Sequence, residues 1–386
     1  MIEVIMNEEE QAILEACDEF GKKVMEPWVE RVENGENAKE VITQMAELGI
    51  LGLAAPESLG GINSSWRTMA LVIEKLAEYN EALCEYIYMA NCNFIFPFLK
   101  YCTEDQKQKW IPDIIAAKSL GAMSLTEPDA GSDNYAMTTT AVLDGDDYII
   151  NGQKCFITDA ENADFFLTFA VTSPADVPRK EISAFMVFKD ESKGITLGKA
   201  EETMGMKGAP VYTVYYDNCR VPKGNLVGNL GDGFKVAMWG LNGGRVSVGA
   251  MVCGIAQHAI DIAVNYAVTR KMFGKTLADF QNTQFVLAEC QAKVDAMFIM
   301  TLEAADRLDV GKDDFALCSE VKMLAPEIAN EVVYKCSQLL GGYGYTRDYP
   351  MERLYRNVRI CTIFEGATEV QKHSIAKVMG LRGKKK

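Results

Sequence analysis

The stretch Leu125-Thr126-Glu127-Pro128-Asp129-Ala130-Gly131-Ser132-Asp133 lies where the character of the chain changes. Considered alone it predicts a turn, because Pro, Asp, Gly and Ser are all common turn residues. It follows a candidate strand, however, and it combines Thr and Ser hydroxyls with a glycine that permits close backbone approach. Its length and order are more specific than a turn requires, so the segments on either side decide its interpretation.

These flanking segments differ in periodicity. Between Asn7 and Cys102 apolar residues recur at helical spacing, which predicts helices. From Gly121 to Leu230 the chain is rich in β-branched and aromatic runs separated by turn residues, which predicts strands. Helical spacing then returns. We therefore predict an α+β protein with an N-terminal helical domain (1–120), a middle β domain (121–230) and a C-terminal helical domain (231–386).

Composition disfavours several function classes. The chain has 39 basic and 54 acidic residues, and its formal charge of −15 repels nucleic acid and anionic lipid. Because it has no long apolar run and no secretory signal, we expect neither membrane insertion nor export. Eleven cysteines without a CxxC pair indicate a reducing compartment, and we expect the cytoplasm. With two histidines, no metal site and no Ser-His-Asp triad are expected.

The sequence lacks two common nucleotide-binding motifs. There is no GxGxxG after a strand and no GxxxxGK[ST], which disfavours a Rossmann nicotinamide site and a P-loop. Gly341-Gly342-Tyr343-Gly344 is dense in glycine, but alone it predicts a helix C-cap and a turn. Any cofactor has to be inferred from other motifs.

Five segments, in a fixed order, resemble the acyl-CoA dehydrogenase family. The opening stretch is similar to the family's LTEPxAGSD signature, and Asn151 to Thr158 is similar to its NGxKxWIT strand, with Phe156 in place of Trp. The family's RxxFG, QxxGGxG and IYEGTxEIQ elements are resembled by Arg270 to Gly274, Gln338 to Gly344 and Ile363 to Gln371. The resemblance covers nearly the whole chain.

The resemblance implies a fold, a cofactor and partners. The fold would be a helical N-terminal domain, a middle antiparallel β-sheet or barrel domain and a C-terminal four-helix bundle. The cofactor would be FAD, bound without a covalent link. The chain would form a homotetramer, a dimer of dimers with shared FAD sites, and would pass electrons to an electron-transfer flavoprotein.

Carried over motif by motif, the resemblance also implies a set of FAD contacts. Two departures from the family pattern fall near them: Ala367 replaces Thr, which removes a hydroxyl, and Phe364 replaces Tyr. Each of these two replacements affects one contact among many, so we expect the FAD site to be retained. The implied FAD contacts are Met123, Leu125, Thr126, Ser132, Phe156, Ile157, Thr158, Arg270, Phe273, Phe280, Gln281, Gln338, Gly341, Gly342, Ala367, Thr368 and Glu369.

The chemistry that the resemblance implies needs one carboxylate base. An acyl-CoA α-hydrogen is weakly acidic, so its removal needs a positioned base and stabilisation of the developing enolate oxygen. Glu365 is the candidate base, and its backbone amide would contribute to the oxyanion hole. On its own, a Glu-Gly pair is more typical of a surface helix cap. Some relatives carry the catalytic Glu just before Arg245, but here Gly244 occupies that position, so Glu365 has no competitor there.

The resemblance also implies a set of contacts for the substrate. A bulky Tyr86 would shorten the acyl cavity and favour short or branched chains over long ones, within the short- or medium-chain type that the resemblance implies. Glu85 is either a solvated helix residue or a contact for a cationic acyl group of the betainyl type. The reverse reaction, enoyl-CoA reduction, and a non-catalytic flavin-binding or partner-binding role remain alternatives, although the intact Glu365 argues against the latter. The implied substrate contacts are Ser132, Asn242, Arg245, Gly366, Glu85, Tyr86 and Met89.

Overall fold

A computed structural model of the chain describes residues 4–174, 177, 180–312 and 315–381. Its N-terminal part is helical, and two helices begin with capping boxes at Asn7 and Thr103, in which side chain and backbone exchange hydrogen bonds. A π-helical segment, Met89–Ile95, continues the fifth helix into the centre of the molecule. The helices are α1 (Glu8–Phe20), α2 (Trp28–Glu33), α3 (Lys39–Glu47), α4 (Trp66–Ala77), α5 (Cys84–Tyr88), α6 (Phe96–Tyr101) and α7 (Glu104–Ile115).

The middle of the chain forms one sheet of eight strands. Its order is β6-β7-β3-β2-β4-β5-β8, with β1 paired to β4. The predicted antiparallel arrangement holds except at two parallel pairings, β1 with β4 and Thr140 of β2 with Val171 of β4. The strands are β1 (Gly121–Ser124), β2 (Thr140–Asp144), β3 (Asp147–Thr158), β4 (Phe165–Val171), β5 (Ile182–Phe188), β6 (Ile195–Ala200), β7 (Val211–Pro222) and β8 (Leu226–Val227).

Helices return in the C-terminal part. Three long helices, α8, α9 and α10, pack on one another, and α12 packs on α10, in agreement with the predicted bundle. The helix–sheet–helix order confirms the predicted fold class. The elements are α8 (Gly233–Thr269), the hairpin β9 (Lys271–Met272) and β10 (Lys275–Thr276), α9 (Gln281–Asp309), α10 (Phe315–Leu340), α11 (Met351–Val358) and α12 (Thr368–Val378).

The long helix α8 joins the N-terminal helices to the bundle. Its most apolar 18-residue window has a mean hydropathy of 1.4, enough by length and composition to cross a membrane, but 83 % of that window is buried inside the protein. Glycines allow this packing: a Cβ at Gly254 would lie 2.1 Å from the Glu74 carbonyl oxygen of α4. These features are typical of a core helix, and in α8 Gly243 lies against Trp66 of α4 while Gly244 lies against Glu365.

Cysteines and potential metal ligands are distributed as isolated residues. All eleven cysteines lie in the described part of the chain, where each is buried and unpaired in any disulfide. Within the described residues no three His, Cys, Asp or Glu side chains are grouped so that they could hold a metal ion. The motif residues therefore remain the candidates for the functional site.

Candidate active site

A buried ion pair holds the Leu125–Asp133 loop against β3. The Glu127 and Lys154 side chains are 3 % and 0 % exposed, and Lys154 Nζ lies 2.9 Å from both Glu127 Oε1 and the Leu125 carbonyl oxygen. Glu127 also accepts hydrogen bonds from the backbone amides of residues 138 and 139. Burial favours a higher pKa for Glu127, but the Lys154 charge and these hydrogen bonds bring it down to about 2. The pair therefore links two of the motifs.

Phe156 projects from the sheet because β3 is irregular there. The pairing of β3 with β7 shifts between Lys154 and Ile157, and Phe156 has a left-handed φ of +55°. Such a bulge re-aims a side chain, and Phe156 is 66 % exposed. The Cys155 amide donates to the Thr126 carbonyl oxygen at 2.9 Å, so the two motif segments are adjacent. A strained, uncovered aromatic ring beside a hydroxyl-bearing loop fits the flat ring system of a flavin.

The other predicted flavin contacts of the middle domain differ in their solvent exposure. Met123, Leu125, Thr126 and Thr158 are half-buried and Ser132 is exposed. Ile157, by contrast, is 1 % exposed and packs in the core of the sheet. Successive strand residues face opposite sides, which leaves only the backbone of Ile157 for the predicted contact.

Glu365 lies in a strained loop between the 3₁₀ turn Arg359–Thr362 and α12. Its φ is +53° and that of Gly366 is +90°, a region that side-chain-bearing residues occupy only when their surroundings enforce it. Gln371 Nε2 donates to the Gly366 carbonyl oxygen at 3.0 Å and helps to hold the turn. No described residue accepts a hydrogen bond from the backbone N–H of Glu365. The loop thus leaves that amide available, while the Oε2 atom of the side chain is buried.

The surroundings of Glu365 shift its carboxyl toward the protonated form, but the ionised form is still populated near neutral pH. Burial raises the pKa of its carboxyl to about 7, against the opposing charges of Lys322 and Arg245 and a hydrogen bond with Asn93. Lys322 is itself buried and donates to the Cys361 carbonyl oxygen at 2.7 Å. The rise therefore comes from the packing of the protein, and the carboxyl can change its charge near neutral pH.

Two predicted substrate residues lie beside Glu365 and not on an open groove. Arg245 is 2 % exposed and Asn242 is 6 % exposed, and Arg245 Nη1 donates to Asn242 Oδ1 at 3.0 Å. A Cβ at Gly244 would lie 3.0 Å from Glu365 Oε2. Gly244 thus lies directly beside the Glu365 carboxylate, and the absence of a side chain at this position leaves space for that carboxylate.

The three residues predicted to line the acyl cavity separate into two groups. Glu85 is 4 % exposed, so the solvated-helix interpretation is wrong. Burial and the charge of Glu365 raise the pKa of Glu85 to about 8, which makes it a second acid near the base. Tyr86 and Met89 line a neighbouring pocket with an empty volume of about 350 Å³ between the N-terminal helices and the sheet. The Tyr86 hydroxyl donates to the Gly208 carbonyl oxygen at 3.0 Å there.

The predicted contacts for the adenosine end of FAD lie at the surface. Arg270, Gln281, Gln338, Gly341 and Gly342 are exposed, and Phe280 is half-buried. Phe273, in the β9–β10 turn, is 87 % exposed. The ring of Tyr266 lies 6.2 Å from that of Tyr343, which brings the Gly341–Gly344 turn to the end of α8 near Arg270.

The start of α12 offers fewer side chains for contact with FAD than the motif implies. Ala367 is the N-cap residue and has no capping side chain. The Thr368 hydroxyl is already used, donating to Glu327 Oε1 at 3.2 Å, and Glu369 is exposed in the first turn. Backbone amides of this turn remain the groups best placed to meet an anionic ligand.

Sequence reasoning missed three side chains that shape the site. Lys154 lies inside a quoted motif, where a lysine in an otherwise apolar strand is a signal for a buried ion pair. Lys322 and Asn93, which act on Glu365, carry no local signal because nothing in the sequence distinguishes them from other polar residues of the same helices, such as Asn91 and Glu320. Their role emerges only from packing across the fold.

Comparison with known proteins agrees with this geometry. Three family models match: "Acyl-CoA dehydrogenase, N-terminal domain" over residues 7–118, the middle domain over 122–219 and the C-terminal domain over 231–380. The chain is 37 % identical to the 3-(aryl)acrylate reductase of Clostridium sporogenes, across 97 % of this chain and 99 % of that protein. It is also 37 % identical to the caffeyl-CoA reductase-Etf complex subunit CarC of Acetobacterium woodii, across 96 % and 98 %.

Solved structures agree as well. The butyryl-CoA dehydrogenase of Megasphaera elsdenii superposes with a TM-score of 0.94 at 33 % identity, over 99 % of this chain and 100 % of that one. An acyl-CoA dehydrogenase from Bacillus anthracis, solved as a complex with FAD, superposes with a TM-score of 0.90 at 29 % identity, over 97 % of this chain and 67 % of that one. With the exposed Phe156 platform, these findings identify FAD as the cofactor. The chain belongs to the acyl-CoA dehydrogenase family, whose members are oxidoreductases that act on CH–CH bonds.

Proposed function

We propose that this protein dehydrogenates a short- or medium-chain acyl-CoA thioester to the trans-2-enoyl-CoA. The observation that carries the proposal is the placement of Glu365: a carboxyl with a pKa of about 7, with a backbone amide that no described residue accepts from, where the N-terminal and C-terminal helices meet. A general base works best when its pKa is near the pH of operation. The similarity to a butyryl-CoA dehydrogenase supports a short acyl chain.

In the proposed reaction Glu365 removes the α-proton. The backbone N–H of Glu365 donates a hydrogen bond to the thioester oxygen, on which negative charge develops. Lys322 and Arg245 keep part of the carboxyl ionised, and Gly244 leaves space for it to turn toward the substrate. The chemistry that bound FAD would supply is acceptance of the hydride that leaves the β-carbon. The strained turn around Gly366 holds the base in one orientation, which lowers the entropic cost of the step.

The cofactor would be held by two parts of the fold. Phe156, Thr126 and Thr158 would meet the flavin ring, because the bulge in β3 exposes Phe156 and the two threonines are only half-buried. Arg270 and the Gly341–Gly344 turn would meet the pyrophosphate of a neighbouring subunit. An arginine is suited to that group by its paired N–H donors, even in an acidic protein.

A homotetramer follows from this shared site, and the exposed Phe273 ring supports it. Dihedral symmetry, a dimer of dimers, is a common arrangement for such chains. Light scattering of the purified protein should give four subunits. A monomer that holds FAD tightly would contradict the shared site.

For the electron partner we propose an electron-transfer flavoprotein. The name of the Acetobacterium woodii relative includes an Etf complex, and that relative matches this chain over nearly its whole length. We also propose a cytoplasmic location, in keeping with the eleven unpaired cysteines.

The reverse direction is the second candidate. Two relatives are named as reductases of acrylate-type compounds. Because the pKa of Glu365 is about 7, its protonated form is also well populated at neutral pH and could return a proton to the α-carbon. The same residues would then hydrogenate an enoyl-CoA, with a reduced electron donor loading the flavin.

The test is Glu365→Gln, which removes the base but keeps the size of the side chain and its backbone amide. Flavin and acyl-CoA should still bind, whereas flavin reduction by butyryl-CoA should fall by at least about 10²-fold, the range for losing a positioned general base. Glu303→Gln, at a surface pair with Arg307, serves as the matched control and should behave as wild type. Flavin reduction at the wild-type rate in the Glu365 variant would refute the proposed mechanism.

A further inference from the structure

Lys322 is a buried lysine whose ammonium group contacts backbone carbonyls. It lies on α10 and is 0 % exposed. Its Nζ donates to the Cys361 carbonyl oxygen at 2.7 Å and to the Gly366 carbonyl oxygen at 3.3 Å. Lys154, which is equally buried, lies 2.9 Å from a carboxylate oxygen. Burying a charge is costly even when the charge is hydrogen-bonded, so the two carbonyl contacts of Lys322 call for a functional explanation.

The two carbonyls bracket the loop that carries Glu365. Cys361 precedes the base and Gly366 follows it, and one Nζ atom holds both residues. The ring centroid of Phe364, the residue directly before the base, lies 5.8 Å from the same Nζ. Lys322 therefore contacts the loop on both sides of Glu365.

The loop has few hydrogen bonds of its own around the base. The N–H groups of Ile363 and Phe364 donate to the Ile360 carbonyl oxygen at 2.7 and 3.1 Å. Those of Glu365 and Gly366 reach no described carbonyl oxygen, and the two residues have left-handed φ angles of +53° and +90°. A residue with a side chain keeps such a conformation only when its surroundings enforce it. Contacts from other elements must therefore hold the loop at the base.

Helix α10 offers a fixed support for such contacts. A Cβ at Gly249 of α8 would lie 2.3 Å from Val321 Cγ1, so the two helices are in close contact next to Lys322. On the same helix, Asn330 Nδ2 donates to the Val358 carbonyl oxygen at 3.2 Å. Closely packed helices transmit little movement to the groups that they carry. The ammonium group of Lys322 is thus held by the core of the bundle.

We propose that Lys322 is a positioning residue for the base: its ammonium group fixes both ends of the loop that carries Glu365 and so holds the carboxyl and the backbone N–H of Glu365 in the reactive orientation. This inference rests on the proposed function, because it takes Glu365 as the base. Lys322 acts through the loop and transfers no proton itself. Without it, the chemical step slows while the affinity for the thioester is kept, since a misplacement of about 1 Å can cost about 10²-fold in rate.

The charge of Lys322 has a second, separable effect. It stabilises the ionised form of Glu365, and because burial lowers the pKa of Lys322 only to about 8, the charge is present where Glu365 titrates. Removing the charge should raise the pKa of Glu365 above about 7. The other titratable and charged groups that face Lys322 or Glu365 stay in place: Arg245 on α8, Glu327 on α10, Glu85 and Tyr88 on α5, Cys92 in the π-helical segment and Cys361 in the loop.

The test is Lys322→Met, which keeps an apolar stem and removes the ammonium group. Reduction of the flavin by butyryl-CoA is followed by anaerobic stopped flow over a range of pH, and the shift of the flavin spectrum gives the dissociation constant of the thioester. The rate at the high-pH plateau should fall by at least about 10-fold, the midpoint of the pH profile should rise, and the dissociation constant should not change. Hydrogen exchange, measured on the FAD-containing protein without thioester, should become faster at Ile363 and Phe364.

Lys335→Met is the matched control. Lys335 lies on the same helix but pairs with Glu331 at the surface, 2.8 Å away, so this variant should match wild type in every measurement. If Lys322→Met does not retain FAD, the measurements are made on Lys322→Gln, which also lacks the charge and should show the same changes. Loss of FAD from both variants would show that Lys322 serves the fold as a whole and would overturn the inference.

Three other results would also overturn it: a wild-type plateau rate in Lys322→Met, a shifted pH midpoint without a slower plateau, or unchanged hydrogen exchange in the loop. If butyryl-CoA reduces the flavin equally fast in wild type and Lys322→Met, the proposed function stands and only the role of Lys322 falls. If no thioester reduces the flavin of wild type, dehydrogenation fails, and hydrogen exchange at Ile363 and Phe364 still decides whether Lys322 holds the loop.

Discussion

The ion pair between Glu127 and Lys154 makes a prediction about both stability and cofactor affinity. Lys154→Met keeps an apolar stem of similar length but removes the charge from a side chain that is 0 % exposed. Glu127 then stays buried without its counter-charge, and the Leu125 carbonyl oxygen loses its donor. Removing one partner of a buried pair is strongly destabilising, because the remaining charge is no longer compensated.

The magnitude follows from the pKa of Glu127. A fall from the usual 4.5 to about 2 corresponds, at 1.36 kcal/mol for each pH unit, to about 3 kcal/mol that the Lys154 charge and the hydrogen bonds from residues 138 and 139 hold together. Burial opposes this by lowering the pKa of Lys154 to about 8, but Glu127 is the group left uncompensated in the variant. Because the folded-state pKa of Glu127 is lowered, this contribution is present above pH 4.5 and is lost as the pH falls toward 2. Lys154→Met should lower the unfolding free energy at pH 7 by about 3 kcal/mol, the lower value for removing one partner of a buried pair. It should also weaken FAD binding, since Thr126 and Phe156 share this anchor.

Urea unfolding of the FAD-free protein, followed by circular dichroism, measures the first effect, and FAD titration measures the second. Lys223→Met is the control, because Lys223 forms a surface pair with Asp146 in which the side chains are 57 % and 88 % exposed. That variant should match wild type. Adding Glu127→Gln to Lys154→Met should recover part of the loss, since the two residues interact directly. If Lys154→Met were as stable as the control, the reasoning about the buried pair would be refuted.

Three further predictions concern the base and the flavin platform. The kcat/KM for dehydrogenation should rise as the pH passes through about 7, because Glu365 acts as a base in its ionised form. For enoyl-CoA reduction, kcat/KM should fall over the same pH range. A kcat/KM that does not change with pH would exclude Glu365 as the acid–base group. Gly244→Ala places a Cβ 3.0 Å from Glu365 Oε2 and should slow flavin reduction by about 10-fold or more with FAD still bound, whereas Gly224→Ala, which meets nothing within 4 Å, should not. Phe156→Ala should weaken FAD binding in a titration without changing the urea midpoint of the FAD-free protein, because its ring is 66 % exposed; a loss of stability instead would show that Phe156 is structural.

The sequence alone determined the order of the elements, the family and the cofactor. A core buries one face of each helix or strand, and this burial requires apolar residues at helical or strand spacing. Such spacing is a local property of the sequence and can be recognised without the tertiary structure. The five motifs are also local, because turns, bulges and caps depend on a few adjacent residues. Loop Leu125–Asp133 and the strand over Asn151 to Thr158 could therefore be placed before any contact between them was known, whereas the bulge at Phe156 is a feature that the structure added.

Only the tertiary structure decided how the side chains are buried and charged. The sequence left Glu85 between a solvated residue and a substrate contact, and packing of α5 against the centre of the fold buried it. The alternation of β3 turned Ile157 into the sheet core, and Lys322, 43 positions before Glu365 along the chain, reached the loop that holds the base. The pKa of Glu365 depends on these distant groups, because desolvation and Coulomb interactions follow spatial distance and not separation along the chain.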